Sequence, residues 1–199
     1  TQKERGLTSG FITSQGVKFK ARLENQRELT NQKNDELNKF LNTISLKEIS
    51  LTSYDVLKKA LTELSNLEKN RLKINNLTIS SHEAIRFYSD INEQLLNMIV
   101  TTVKISNNPS VTDDIIAFSN FLLSKEKAGI ERAIGTSTFA KKKFAKGMKG
   151  KLSNLISSQD LYTNNFLLYA NDDNKIFYKT IMNNSVIEEV NKMRSVLLD

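Results

Sequence analysis

The chain has 199 residues with a single proline, seven glycines and no cysteine, which leaves few breaks for regular structure and excludes disulfides and thiolate metal sites. That length supports one sizeable core or two small helical modules in series. No apolar run approaches the roughly 18–20 residues needed to cross a bilayer, and a net charge of +7 turns attention to anionic partners.

Good helix formers dominate, and they predict an all-α fold. The first helix is expected from Gln2 to Leu41, with a kink near Gly16; Val17, Ala21, Leu23, Leu29, Leu37, Phe40 and Leu41 trace an imperfect apolar stripe along it. A loop over 43–50 follows. Thr52 and Asp55 have capping-box spacing and open a second helix to about Asn75, with Val56, Ala60, Leu64, Leu67 and Leu72 inward. Ser80 and Glu83 repeat the signature and start a third helix to about Ile105, carrying Ile85, Tyr88, Ile91, Leu95, Met98 and Ile99 on its core face.

Asn107, Asn108 and Pro109 break the chain, and Ser110 with Asp113 is expected to cap a fourth helix to about Ala145. Gly147 and Gly150 mark the next break. A fifth helix spans Leu152 to Tyr169, Asn171 to Asn174 is a turn, and Lys175 to Leu198 is helical with an interruption near Asn183 and Asn184, where Ser185 and Glu188 again have cap spacing. Several of these helices exceed twenty residues, so the architecture predicted is an elongated bundle, two stacked four-helix-type modules sharing long helices.

Chemistry concentrates at a repeated pattern. Glu4-Arg5-Gly6-Leu7-Thr8-Ser9-Gly10 echoes Glu131-Arg132-Ala133-Ile134-Gly135-Thr136-Ser137 without a gap. In each copy an arginine is followed four residues later by a hydroxyl, Ser9 or Thr136, which places the two on one helix face. Small residues at the same spacing (Gly6 and Gly10; Gly129, Ala133 and Ser137) leave room for a close helix approach or for a ligand. A guanidinium is a planar, permanently charged fork suited to a planar oxyanion. Two of them converging on one cavity need an anion between them, or neutralisation by Glu4, Glu126 or Glu131.

Other features argue for less. His82 stands alone, the acidic pairs Asp113-Asp114 and Glu188-Glu189 point to different helix faces, and no metal cluster, nucleophile–base pair or phosphate loop can be assembled. The chain is therefore not expected to be an enzyme, to bind a metal or to carry a cofactor. Lys141, Lys142, Lys143, Lys146, Lys149 and Lys151 form a basic run around the single aromatic Phe144. Lysines in the last turn of a helix complement its dipole, and the lack of interleaved arginines and aromatics speaks against nucleic-acid binding.

The sequence resembles the nitrate- and nitrite-sensing (NIT) domain family of bacterial chemoreceptors, sensor kinases and an antitermination regulator. The likeness rests on Glu4-Arg5-Gly6 continuing to Gln26-Arg27, on Glu83-Ala84-Ile85-Arg86-Phe87-Tyr88 with Ile91-Asn92 and Leu95-Leu96 behind it, and on Lys125-Glu126-Lys127-Ala128-Gly129-Ile130-Glu131-Arg132-Ala133. The resemblance implies two stacked helical bundles over 1–199 that bind nitrate, nitrite or a similar small anion through arginines matching Arg5 and Arg132; the spacing of the repeated pattern adds Ser9, Thr136, Gly6 and Gly129 beside them. With helical termini, the chain is further expected to be the periplasmic sensor of an inner-membrane chemotaxis receptor or kinase, anchored by flanking helices and acting as a homodimer. The alternative is a helical dimerisation module without a small ligand.

Overall fold

The structure, a computed structural model, describes residues 1–43, 51–103 and 106–199, apart from the side chains of residues 140 and 141. All regular structure among them is helical: α1 (Gln2–Thr13), α2 (Lys20–Leu41), α3 (Leu51–Ser65), α4 (Leu67–Asn75), α5 (Ser81–Thr102), α6 (Pro109–Lys141), α7 (Met148–Tyr169), α8 (Asp172–Met182) and α9 (Ser185–Leu198). The expected all-α bundle fold is present. The chain divides into two compact units, Thr1–Ile105 and Ser106–Asp199.

In the first unit the predicted kink near Gly16 is a full break. Gln15, Gly16 and Phe19 all have positive φ, at 54°, 80° and 69°. Only Gly16 adopts that region without steric cost. The turn lets α1 pack against both α2 and α5, and α3 packs on α5. The second predicted helix is also interrupted, at Asn66 between α3 and α4. Its side-chain amide donates to the Thr62 carbonyl, offering the backbone a local alternative to the helix ladder. The break re-aims α4 while keeping Ala60, Leu64 and Leu67 inward as expected; Leu72 turns outward.

The core of this unit gathers Phe11, Ile12, Leu23, Leu64, Leu67, Ile74, Ala84, Tyr88 and Ile91. Burying each large aliphatic side chain there contributes roughly 1.5–3 kcal/mol. From the stripe predicted along the first helix, only Leu23 is fully buried; Val17, in the turn before α2, and Leu29 and Phe40 on α2 face solvent. The Ser80 capping box forms as predicted: its hydroxyl accepts from the Glu83 amide, and the Glu83 carboxylate accepts from the Ser80 amide at 3.0 Å. Thr52 lies inside α3, so the cap predicted there for the second helix is not an N-cap. The expected loop over 44–50 and the expected helix end at Ile105 lie outside the described residues.

In the second unit α6 and α7 form the most extensive helix pair. Asn108, not Ser110, caps α6, its side-chain oxygen accepting from the amides of Ser110 and Val111. Pro109 then occupies the first helical turn, where its missing N–H costs nothing. The helix ends at Lys141, earlier than Ala145, and Lys142 takes the left-handed conformation as its C-cap. Gly147, with φ of 76°, is the N-cap of α7, which starts at Met148, four residues before the expected Leu152. Asn171 caps α8, and Asn184, not Ser185, caps α9. Asparagine wins at all three starts because its carboxamide reaches amides two or three residues on. Ala117, Phe166 and Ala170 form the core cluster, and the Phe166 ring meets Phe121 and Tyr178 at 5.4 and 5.3 Å.

Candidate functional site

The repeated pattern is where the two units become comparable. In the first, Glu4 is completely buried one turn into α1. Arg71 of α4 grips it with one edge of its guanidinium, Nε donating to Oε1 at 2.7 Å and Nη2 to Oε2 at 2.9 Å. The Tyr88 hydroxyl of α5 donates to Oε1 at 2.8 Å, and the Arg27 Nε of α2 stands 3.7 Å from the same oxygen. One carboxylate thus ties together four helices. Arg71, itself buried, also donates to Asn31 and to Glu68.

Burial alone would raise the Glu4 carboxyl. The hydrogen bond and charge of Arg71, with hydrogen bonds from Thr30 and Tyr88, outweigh it and hold the group below its ordinary value. Burial and the Glu4 charge push the Tyr88 hydroxyl up, which keeps it a donor.

In the second unit Glu131 occupies the matching place on α6. Arg194 of α9 donates to it from Nε at 2.6 Å and Nη2 at 2.8 Å. Gln159 of α7 donates from Nε2 to Glu131 at 2.6 Å and accepts from Arg194 at 2.8 Å. Burial again opposes ionisation, and Arg194 and Gln159 again overcome it, so the Glu131 carboxyl is lowered. The hydrogen bond to Glu131 raises Arg194 despite burial.

The arginines singled out from the sequence sit next to these clamps. Arg5 is buried, and its Nη1 donates to the Ser89 hydroxyl at 2.8 Å. Ser9 lies on the same face of α1, its hydroxyl 3.1 Å from that of Ser81. Arginine and hydroxyl share a face as their spacing requires, and that face looks onto α5. A Cβ on Gly6 would meet nothing within 4 Å; the close approach on α1 falls at Gly10, where a Cβ would come within 2.7 Å of the Phe19 ring. In the second unit Arg132 and Thr136 are exposed on α6 and Gly129 is half-buried. A Cβ on Gly135 would meet the Leu197 side chain of α9 at 3.5 Å.

Arg71, Arg194 and Gln159 were not singled out by sequence reasoning. Arg71 has Glu68 three residues away and reads as one half of a surface pair. Arg194 carried a signal, since it stands between Met193 and Val196 with no acid three or four residues distant. His82 is exposed in the first turn of α5. An open cleft of about 420 Å³, lined by residues including Lys20, Arg27 and Asn75, contains none of the residues predicted for the site.

These features define an all-α protein built from two helical units, each with a carboxylate, buried Glu4 or half-buried Glu131, held by its own arginine clamp and followed by a second arginine. The chain belongs to the nitrate and nitrite sensing family, whose pattern matches residues 1–199 in full. It is 29% identical over 96 residues to a nitrate regulatory protein of Klebsiella oxytoca, an alignment covering 48% of this chain and 24% of that protein. The fold matches the structure of the NasR transcription antiterminator with a TM-score of 0.91 at 23% identity, over 98% of this chain and 53% of that one. The chain thus spans about half the length of the solved relative and about a quarter of the curated one.

These relatives overturn the expected periplasmic location. They are a nitrate regulatory protein and a transcription antiterminator, and antitermination of transcription takes place inside the cell. Among the described residues no helix is long and apolar enough to cross a membrane.

Proposed function

We propose that the chain is the sensing part of a regulator of transcription, that its ligand is nitrate or nitrite, and that Arg5 and Arg132 carry the charge that recognises it. The observation behind this reading is that in both copies of the repeated pattern the carboxylate next to the arginine is already engaged by a distant arginine, Glu4 by Arg71 and Glu131 by Arg194. The bidentate acceptor edge of each carboxylate is therefore committed to an arginine other than the one beside it in sequence. A guanidinium beside a hydroxyl four residues on (Ser9, Thr136) offers a flat oxyanion directional donors. The chain performs no chemistry on its ligand. Binding acts by favouring one helix arrangement over another, which requires tighter binding to that arrangement.

Calorimetric titration with nitrate and nitrite, using chloride and formate as controls, tests this. Saturable heat with nitrate or nitrite, abolished in Arg5→Ala and in Arg132→Ala at unchanged helicity, is the expected result. Retained affinity in both variants would sink the assignment of the arginines, and no heat with either anion would sink the ligand.

A second reading, a helical dimerisation module, has its own observation. No residue of α8 is buried, and Ile176, Phe177, Val186, Val190, Met193 and Val196 of α8 and α9 are exposed. Exposed apolar residues in such number on two successive helices commonly mark an association surface. Sedimentation that shows a monomer at micromolar concentration would remove that reading.

A further inference from the structure

The stretch from Arg132 to Gln159 contains seven cations and no carboxylate. Its net charge of +7 equals that of the whole chain, so the remaining residues are balanced. Six of the seven cations are lysines between Lys141 and Lys151, at the tip where α6 hands over to α7. Lys142, Lys143, Lys146, Lys149 and Lys151 are exposed, and among the described residues none of these five is in an ion pair.

Helix electrostatics account for only part of this run. Lys142 and Lys143 follow the C-terminus of α6, where cations complement the dipole. Lys149 and Lys151 do the opposite. They stand in the first turn of α7, which begins at Gly147 with no side-chain cap and no acidic residue to balance its free amides. Positive side chains and the positive end of a helix are thus stacked in one place, which the free fold disfavours and a polyanion rewards. A Cβ on Gly147 or Gly150 would meet nothing within 4 Å, so a partner can approach the backbone closely.

The surroundings select among polyanions. No large hydrophobic residue is exposed between Phe139 and Leu161. A bilayer-surface segment exposes apolar anchors among its lysines, and a single-strand binder exposes aromatic platforms for the bases. Phe144 and Met148 are instead half-buried. Lysine ammoniums are point charges that meet phosphates without reading bases.

We propose that the α6–α7 tip, from Lys142 to Lys151, is a contact surface for the phosphodiester backbone of a nucleic-acid duplex, engaged through charge and independent of base sequence. This departs from the expectation drawn from the sequence. The scarcity of arginine and aromatic residues argues against base reading and leaves backbone contact open.

The test is fluorescence anisotropy of the 199-residue chain with labelled duplexes of two unrelated sequences, the matching single strand, and vesicles rich in anionic lipid. Both duplexes should bind alike and lose roughly 10²–10³-fold in affinity between about 50 and 200 mM salt. In Lys143→Gln/Lys146→Gln/Lys149→Gln/Lys151→Gln the slope of log affinity against log salt should shrink by about one unit for each lysine removed. Lys149→Gln/Lys151→Gln, which relieves repulsion at the start of α7, should keep full helicity and lose about half of that slope change. No duplex binding at low salt, equal binding by the variants, or preference for the single strand or the vesicles would overturn the proposal. Anion titration is a separate measurement, so loss of the sensing reading leaves this one standing.

Discussion

Glu4 and Glu131 open the same pattern in the two units, and each is held through two hydrogen bonds by an arginine more than sixty residues away. They differ in depth. The Glu4 side chain is 0% exposed and Arg71 only 4%, against 12% and 24% for Glu131 and Arg194. The deeper carboxylate gathers a tyrosine and a second arginine, while the shallower one is content with a glutamine. A charge fully removed from water requires every lone pair answered; one near the surface can leave part of the work to solvent.

If depth is what separates the clamps, Arg71→Ala is the most damaging single change. It strands the Glu4 charge in the interior and should cost about 3–5 kcal/mol in urea unfolding. The same carboxylate shapes the acid response. Its folded pKa lies below the ordinary 4.5, so its stabilisation is fully present above about that pH and is lost as pH falls through the lower folded value. Unfolding midpoints measured from pH 7 downward should therefore drop below about pH 4.5, and Glu4→Gln should flatten that drop.

Arg194→Ala breaks the more accessible clamp, where solvent screens the orphaned charge, and should cost about 1–2 kcal/mol. A loss equal to that of Arg71→Ala would show that burial is not the deciding difference. The smallest effect belongs to a position outside both clamps: Ser80→Ala removes the cap of α5 and should cost about 1 kcal/mol, read from the same denaturation curves.

Much of this architecture was legible because it is local. The Ser80–Glu83 box needs only four residues, and the inward set of Ala60, Leu64 and Leu67 needs only helical periodicity. The arginine–hydroxyl pairing of Arg5 with Ser9 followed from the same periodicity. The clamps were not legible, since Glu4 to Arg71 and Glu131 to Arg194 are long-range pairings that no local pattern encodes. Cap choice failed for a subtler reason. At Asn108 and Asn184 a serine stood one or two residues on with an acid at box spacing, yet the asparagine reached the free amides first. The break between α3 and α4 was hidden because the apolar stripe continues straight through Asn66.

The seam between α1 and α5 has a mechanical meaning. Thr1 pairs with Asn92, Glu4 with Tyr88, Arg5 with Ser89 and Ser9 with Ser81. The helices run antiparallel, and these pairs act as the teeth of a rack. Apolar neighbours tolerate a small slide because any methyl can replace another, whereas a hydrogen bond displaced by an ångström is lost. Movement of α1 along α5 would have to disengage every tooth together and re-engage a full helical turn, roughly 5.4 Å, further on. Short of that step these four pairs resist sliding of α1 along α5.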